Sequence, residues 1–546
     1  MASTASERRR RPARGPRDRP APPSLLALSA LVACLFAAPL AYLAIRGLTE
    51  GGTLRAAWAS GTTLAPLART LLLGVAVAGA AAVLGTALAW LVVRTDLPGR
   101  RVARLLLPLP LVMPSFIAAF ALLAAFAPGG LLAGLLEPLG VERLPAFQGF
   151  WGALYVLTLF TYPYVYLPVA ARLGQLPASL EESARLLGRD PAGVFRTVVA
   201  PQAASAVWAG TLLVFLYTIS DFGAVQLMRY QTLTSSIYAS RVFDRAGALA
   251  QSLLLGLLAV GVVAAERSVT RGRRPGRLAA GGRTLRVPLG RWKTPAVALV
   301  AGVVGLALVA PVGVLAFWAV RGALAGSTRA GTLVADAGDL AVPALNTAAM
   351  AVLAALVAVV AVLPVAYLTV RHASPLAGGA NAVIVGGFAL PGLVVALALA
   401  FWTLQAPRPL AGLYQTQALL VFAYVVHFGS QALRAAQVAV AAVPSRLDDA
   451  ARTLGAGRFR RLRTVELPLA TPGLLAGAGL VLLSTMKELP ATLLLAPPGF
   501  ETLATRIWSA TEDAFLADAS LAALFLLLLS GILTWLLVVR RGNAPS

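Results

Sequence analysis

The sequence predicts an all-α integral membrane protein of about 12 transmembrane helices, built as two parallel six-helix repeats. Three observations carry this. First, 58% of the residues are hydrophobic and 12% are charged, with a mean hydropathy of +0.79, whereas about 25% of the residues in water-soluble domains are charged. Second, the apolar residues fall in runs of about 20, the length that crosses a hydrocarbon core. Third, one polar segment occurs twice, at residues 176–210 and 443–477, aligned without a gap at an offset of 267. The copies share a proline, an acidic pair, Ala-Arg, Leu-Gly, Arg-Thr-Val, a second proline and a closing Ala-Gly.

A basic tail, residues 1–23, precedes a first half of six spans, residues 24–266. The runs lie near 24–45, 67–93, 105–127, 149–171, 200–220 and 247–265. The first run reads as an uncleaved span: it is long for a signal-peptide core, and Phe36-Ala37-Ala38-Pro39 is a poor cleavage site. A basic, glycine-containing linker, residues 267–293, reads as a tether between two formerly separate subunits. The second half, residues 294–540, has runs near 295–320, 344–370, 382–404, 417–440, 467–487 and 516–539, and residues 541–546 form a tail. Further matches appear at an offset of 277: Arg69-Thr70 with Asn346-Thr347, Trp90 with Tyr367, Arg94 with Arg371, and Met113-Pro114 with Leu390-Pro391. Even-numbered halves enter the membrane with the same orientation, so the repeats are expected about a pseudo-two-fold axis along the membrane normal, with a pathway between them.

Charge sets the expected orientation. With the N-terminus inside, 34 of the 46 Lys and Arg fall on the inner side and 12 on the outer, while the 22 acids divide 10 and 12. The whole net charge of +24 then lies on one face, which places both termini on the cytoplasmic side, and 44 Arg against 2 Lys with abundant Ala hint at a GC-rich bacterial genome, hence an inner-membrane protein. The basic tail and linker read as topology signals that touch anionic lipid, not as nucleic-acid patches. Cys34 is the one cysteine and the histidines are His372 and His427, which excludes a disulfide framework and a Cys-based metal site. No phosphate-binding Gly-x-x-x-x-Gly-Lys-Ser/Thr loop is found, nor any nucleophile–base–acid set, so the chain reads as a conduit with no cofactor of its own.

Both copies of the duplicated segment fall on the inner side. Leu180, Ala184 and Leu187, and likewise Leu447, Ala451 and Leu454, recur at i, i+4 and i+7, the spacing of a short amphipathic helix. Glu181 and Glu182, or Asp448 and Asp449, stand in the first turn, where carboxylates favour the positive end of the helix dipole. Ser179-x-x-Glu182 and Ser445-x-x-Asp448 resemble capping boxes. Gly188 and Gly455 are expected as left-handed caps, and Pro201 and Pro468 as the openings of the next spans.

This constellation resembles the EAA loop of ATP-binding-cassette importer permeases. The match covers Glu182-Ser183-Ala184, Gly188 and Ala200-Pro201, then Asp449-Ala450-Ala451, Gly455 and Leu467-Pro468. Ser183, Asp449 and Ala200 depart from the pattern but keep its small or acidic character. The resemblance implies that each loop inserts into one of two identical ATPase subunits, which hold the ATP and magnesium. It also implies an external binding protein that delivers the solute. A second element narrows the resemblance. Asp221-Phe222-Gly223-Ala224 matches Glu488-Leu489-Pro490-Ala491 at offset 267. With Lys487, Thr492 and Thr502-Leu503-Ala504-Thr505-Arg506, these look like fused two-half ferric iron permeases. Sulfate, molybdate, polyamine, thiamine and phosphonate importers remain alternatives, as does an ion-gradient-driven secondary transporter. Ferric ion is hard and takes oxygen ligands, so Asp221, Glu488, Tyr162 and Tyr166 are candidate pathway residues, with Lys487 as a neutralising neighbour. For the tyrosines, aromatic packing is the competing expectation.

Overall fold

In a computed structural model, residues 21–49, 51–140, 144–145, 147–271, 285–325, 338–408, 410–534 and 536 are described. Residues 1–20 of the basic tail, 272–284 of the linker and the C-terminal tail lie outside these residues. Among the described residues the secondary structure is helical, apart from one isolated bridge between Thr95 and Val287.

The first half contains α1 (Pro23–Thr49), α2 (Gly61–Arg94), α3 (Arg100–Leu106), α4 (Ser115–Phe126), α5 (Gly149–Thr161) and α6 (Pro163–Gly174). It continues with α7 (Ala178–Leu186), α8 (Ala200–Ser220), α9 (Gly223–Leu227), α10 (Leu233–Ser240) and α11 (Arg245–Arg271). The second half contains α12 (Lys293–Val304), α13 (Ala310–Ala325), α14 (Ala341–Arg371), α15 (Pro375–Gly387), α16 (Gly392–Gln405) and α17 (Gln417–Ala442). It closes with α18 (Ser445–Thr453), α19 (Leu467–Met486), α20 (Pro490–Leu495), α21 (Leu503–Glu512) and α22 (Leu516–Thr534).

Eleven helices among the described residues are long and apolar enough to cross a membrane, or twelve if the bent pair α15–α16 is one span. The structure differs from the expected spans at two matched places. In the run 105–127 the helix stops at Leu106 and restarts at Ser115, and α15 and α16 meet at 104°. Prolines cause both breaks: Pro108, Pro110 and Pro114 in the first half, Pro391 in the second. Each removes a backbone donor, and Pro114 also holds Met113 before it in extended geometry (φ −82°, ψ 127°).

The repeat extends to individual hydrogen bonds. The Thr70 hydroxyl donates to the Pro66 carbonyl (2.7 Å) and accepts from the Leu233 N–H (2.8 Å). Thr347 does the same with Pro343 (2.7 Å) and Leu503 (2.8 Å). Both helices whose first N–H donates to these hydroxyls, α10 and α21, start with capping boxes, Thr232 with Ser235 and Thr502 with Thr505. Each half's first span also reaches across: α1 packs on α14, α15 and α16, and α13, the second part of the span that α12 begins, packs on α4. Trp318 of α13 donates its indole N–H to the Ala124 carbonyl at 2.8 Å. From Val287 the linker docks onto the first half. Val287 donates to the Arg94 carbonyl (2.8 Å), Leu289 to the Asp96 carboxylate (2.8 Å), and Lys293 pairs with Asp96 (3.0 Å).

Candidate functional site

The two loop helices, α7 and α18, occupy matched residues at offset 267 and are nearly superposable in local design. Each follows a proline, Pro177 or Pro444, in extended conformation, and neither has a side-chain cap. The expected capping boxes do not form, because the helices start too early, two residues for Ser179 and one for Ser445 to stand at the cap. The C-terminal caps form as expected. Gly188 and Gly455 have φ of +78° and +79°, a conformation in which a Cβ is strained. Arg189 N–H then reaches back to the Ala184 carbonyl (3.2 Å) and Ala456 N–H to that of Ala451 (3.0 Å). Those bonds satisfy carbonyls the helix end would leave open.

The apolar stripe divides differently from expectation. Ala184 is buried, but Leu187 is 82% exposed and Leu454 is 87% exposed. Leu180 and Leu447 are also exposed, while Ala451 is half-buried. The small residue faces the body of the protein and the leucines face away from it.

The first-turn acids separate into two roles. Glu181 is buried and forms an ion pair with Arg94, itself fully buried at the end of α2 and lying over the Trp90 ring at 5.9 Å. Glu182 is exposed. In the second half Asp448 pairs instead within its own loop, with Arg461 at 2.6 Å and Arg452 at 3.3 Å. Asp448 is partly buried, which alone would raise its pKa. The Arg461 hydrogen bond and the charges of Arg461 and Arg452 outweigh this and hold the carboxyl below the usual range. Arg371, the match of Arg94, turns to the carbonyls of Val440 (2.9 Å) and Val443 (2.6 Å). Asp449 is half-buried beside it.

Pro201 and Pro468 do not open their spans. Helix is already present upstream, at Pro191–Val194 and Arg458–Arg461, and runs into the span through a π-turn, Phe195–Val199 or Leu462–Glu466. A proline inside a helix removes one donor and crowds the carbonyl four residues back. The wider π-turn immediately before each proline absorbs that mismatch. Single π-turns are frequent at functional positions, and these two stand between loop and span at identical places.

Above the spans, the acidic elements meet at the junction of the halves. Asp221 is buried and accepts from Ala224 N–H (2.9 Å), Val225 N–H (3.4 Å) and the Ser115 hydroxyl. Glu488 accepts from Ala491 N–H at 3.2 Å. Gly392 stands where the first half has Ser115, and a Cβ there would lie 2.5 Å from Glu488 Oε1. The longer acid thus requires a glycine where the shorter one uses a serine. The elements touch across the halves: the Phe222 and Trp508 rings are 5.4 Å apart, and Gly223 faces Leu489. Lys487 donates to the Leu111 carbonyl of the other half at 3.0 Å. Tyr162 is buried and donates to the Leu107 carbonyl (2.7 Å), while the buried Tyr166 hydroxyl has no partner among the described residues. No group of three or more His, Cys, Asp or Glu side chains among the described residues is placed to hold a metal ion. Sequence reading missed the Arg94–Glu181 pair, the π-turns and Gly392. The matched Arg94 and Arg371 were the one available signal for the first.

Comparison with known proteins agrees with this geometry. The family described as "Binding-protein-dependent transport system inner membrane component" matches residues 81–269 and 363–540, one segment in each half. The Fe(3+)-transport system permease protein FbpB 2 of Haemophilus influenzae is 30% identical over 489 residues, 86% of this chain and 89% of that protein. A probable ABC transporter permease protein of Sinorhizobium fredii is 26% identical over 81% of this chain and 80% of its own length. A probable molybdenum ABC transporter permease protein of Haloferax volcanii is 32% identical over 184 residues, covering 33% of this chain and 65% of itself.

Proposed function

Because the chain belongs to the binding-protein-dependent inner-membrane transport family, we propose that it is the permease subunit of an ATP-driven importer whose solute is ferric iron. The carrying observation is the similarity to a ferric iron permease along most of the chain, through both halves and both loops. Membership of this family sets aside the gradient-driven alternative.

The permease faces the cytoplasm with both termini and with α7 and α18, as its charge asymmetry directs. Two copies of an ATPase subunit, carrying ATP and magnesium, each grip one loop helix. The exposed Leu186, Leu187 and Leu454 are the apolar surface such a partner covers. Glu182, Ala184, Gly188 and Pro201, with Asp449, Ala451, Gly455 and Pro468, keep each helix short, capped and joined to its span. A binding protein docks on the outer face. ATPase closure draws the loops together, and the halves move as bodies about the junction of Phe222, Leu489 and Trp508, which is closed in this state. Substrate-loaded binding protein drives that motion only through contacts that favour the outward state. Asp221 and Glu488 supply oxygen ligands at the mouth that the junction opens.

The test is uptake of radiolabelled ferric iron in cells lacking this chain, with wild type or Gly455→Pro restored. Uptake should return with wild type alone. A second reading, an oxyanion substrate, draws on the molybdenum relative and on a sulfate transport system permease of Salmonella typhimurium, 31% identical over 26% of this chain. Lys487 at the junction suits an anion. Unchanged iron uptake with lost molybdate or sulfate uptake would select it.

A further inference from the structure

The segment that follows the acid in each half forms a crown on the outer side, and the two crowns carry opposite charge. Their capping boxes align residues 229–248 with 499–518 at an offset of 270. With Arg69 and its match Asn346 included, the first crown holds Arg69, Arg229, Arg241 and Arg245 against Asp244, a net charge of +3. The second holds Glu501, Glu512, Asp513 and Asp518 against Arg506, a net charge of −3. The outer side has 12 basic and 12 acidic groups in all, so it is neutral in sum and polarised between the halves.

The exchange of charge falls within contacts that the halves share. In the first, Arg69 donates to the Gln231 side chain at 2.8 Å; in the second, Asn346 donates to the Glu501 carbonyl at 2.9 Å. A cation beside a neutral amide in one half is thus a neutral amide beside an anion in the other. Arg69, Arg229, Glu501, Glu512 and Asp513 are exposed. The four arginines of the first crown have no ion-pair partner among the described residues. The sign changes at the junction itself: Arg241 lies 3.6 Å over the Tyr238 ring, and Tyr238 also stands in the field of Glu512 from the other half.

Arg229 shows that the charge is kept against local preference. Its φ is +54°, and at the matched place Gly499 has a φ of +76°. Glycine makes this turn without strain and a side chain does not; strain of this kind clusters at functional positions. Positive charge on the outer side also runs against the rule that orients the chain.

We propose that this polarity sets the pose of the external binding protein, with an acidic end of its docking face over the first crown and a basic end over the second. This rests on the importer function proposed above. Two halves related by a pseudo-two-fold axis offer a partner two poses half a turn apart. Shape separates those poses poorly, because the halves share one architecture, whereas opposite charges attract in one pose and repel in the other. Complementary charge acts on encounter rate and register, so the crowns select the pose before close contact is made.

The test uses the full chain with its ATPase in nanodiscs, and the extracellular solute-binding protein whose deletion abolishes the same uptake. Benzoylphenylalanine in place of Phe243, 94% exposed, or Phe515, 41% exposed, leaves every charge of the crowns in position. Cross-links from position 243 should fall on the acidic end at least fivefold more often than on the basic end, and those from position 515 the reverse. Arg69→Glu with Arg229→Glu should slow association at least tenfold at low salt, within the range of steered encounter, and about twofold or less at high salt. Adding Glu501→Lys and Glu512→Lys inverts the crowns to −1 and +1, and the cross-links should then exchange ends. Arg229→Gly should slow association yet raise the melting temperature, a combination that a purely structural arginine would not give. Cross-links spread evenly over both ends, or rates that ignore the reversals and salt, would overturn the proposal and leave the arginines to outer-leaflet lipid. Docking without regard to charge would still leave the importer reading intact, whereas no docking on the wild-type chain would overturn both.

Discussion

The buried pair between Arg94 and Glu181 makes the sharpest prediction. Substituting Glu181→Gln preserves shape but leaves Arg94 as a cation with no countercharge at 0% side-chain exposure, since Glu181 is its sole ion-pair partner among the described residues. The Arg94 Nε and Nη1 atoms already lack hydrogen-bond partners there, so the carboxylate carries the whole compensation. Removing one member of a buried pair costs about 3–5 kcal/mol, whereas replacing both by apolar groups of similar volume is often neutral or stabilising. The corresponding change in the second half, Asp448→Asn, should cost less, because Asp448 and its nearer partner Arg461 keep 17% and 14% side-chain exposure and Arg452 50%, so water takes over part of the interaction. The assay is thermal unfolding of purified protein in detergent for Glu181→Gln, Arg94→Met, the double variant Arg94→Met with Glu181→Leu, and Asp448→Asn. Both first-half single variants should melt well below wild type, the double variant close to it, and Asp448→Asn within a few degrees. A double variant as unstable as the singles would refute the reasoning, because the loss would then come from packing and not from an uncompensated charge.

Three further outcomes follow from the same geometry. Gly392→Ala sets a Cβ 2.5 Å from Glu488 Oε1; it should displace the acid and reduce uptake at least tenfold, while Ser115→Gly, which only removes a hydroxyl donor, should retain most of it. Phe222→Ala removes the ring that meets Trp508 across the halves; ATPase activity in the reconstituted complex should rise without binding protein as the closed junction loses its advantage. For pH, the folded-state pKa of Asp448 lies below its unfolded value of 3.8, so its contribution is fully present above that value and is lost as pH falls through the lower folded one. The small melting difference between wild type and Asp448→Asn should therefore be equal at pH 7 and pH 5, and a difference that shrinks between them would contradict the assignment.

What could be read in advance and what could not divides along a physical line. Apolar runs and their offsets are properties of each segment by itself, and they led to the two halves, the twin loop helices and the left-handed glycines. The pairing of Thr70 with Thr347 also surfaced as a sequence match, and it proved to be one hydrogen-bond motif used twice. Local reading failed where a feature depends on how the chain closes on itself. Arg94 and Glu181 lie 87 residues apart, and each has an ordinary local explanation, as an inner-side positive charge and a helix-dipole acid. The capping boxes failed because Pro177 and Pro444, not serine, became the caps. Pro201 and Pro468 looked like helix starts because a proline at a first turn is unremarkable. The upstream helix and π-turn that displace them depend on the loop packing under its span. Hydropathy is also blind to the break at Leu106–Ser115, since proline lowers average hydropathy very little.

The fused chain has consequences for coupling that two identical subunits could not produce. In a homodimer every loop is held alike. Here each half carries its own residues, and they have diverged at the point where force from a partner would enter. Glu181 locks α7 onto the end of α2 through a dry ion pair, with Trp90 and Phe195 closing the space beneath. In the second half the acid at the matched position is tied to arginines of its own loop, and the matched arginine to carbonyls of α17. A displacement of α7 is thus passed to α2 directly, whereas α18 moves with its own loop before it engages α14. If both ATPase subunits close by the same distance, the first half moves more per unit of closure. Cross-links from each loop helix to its own span, α7 to α2 and α18 to α14, would measure the difference. Restraining the first should change ATP-driven transport little, while restraining the second should change it markedly. Equal effects would mean that the packing difference is not transmitted.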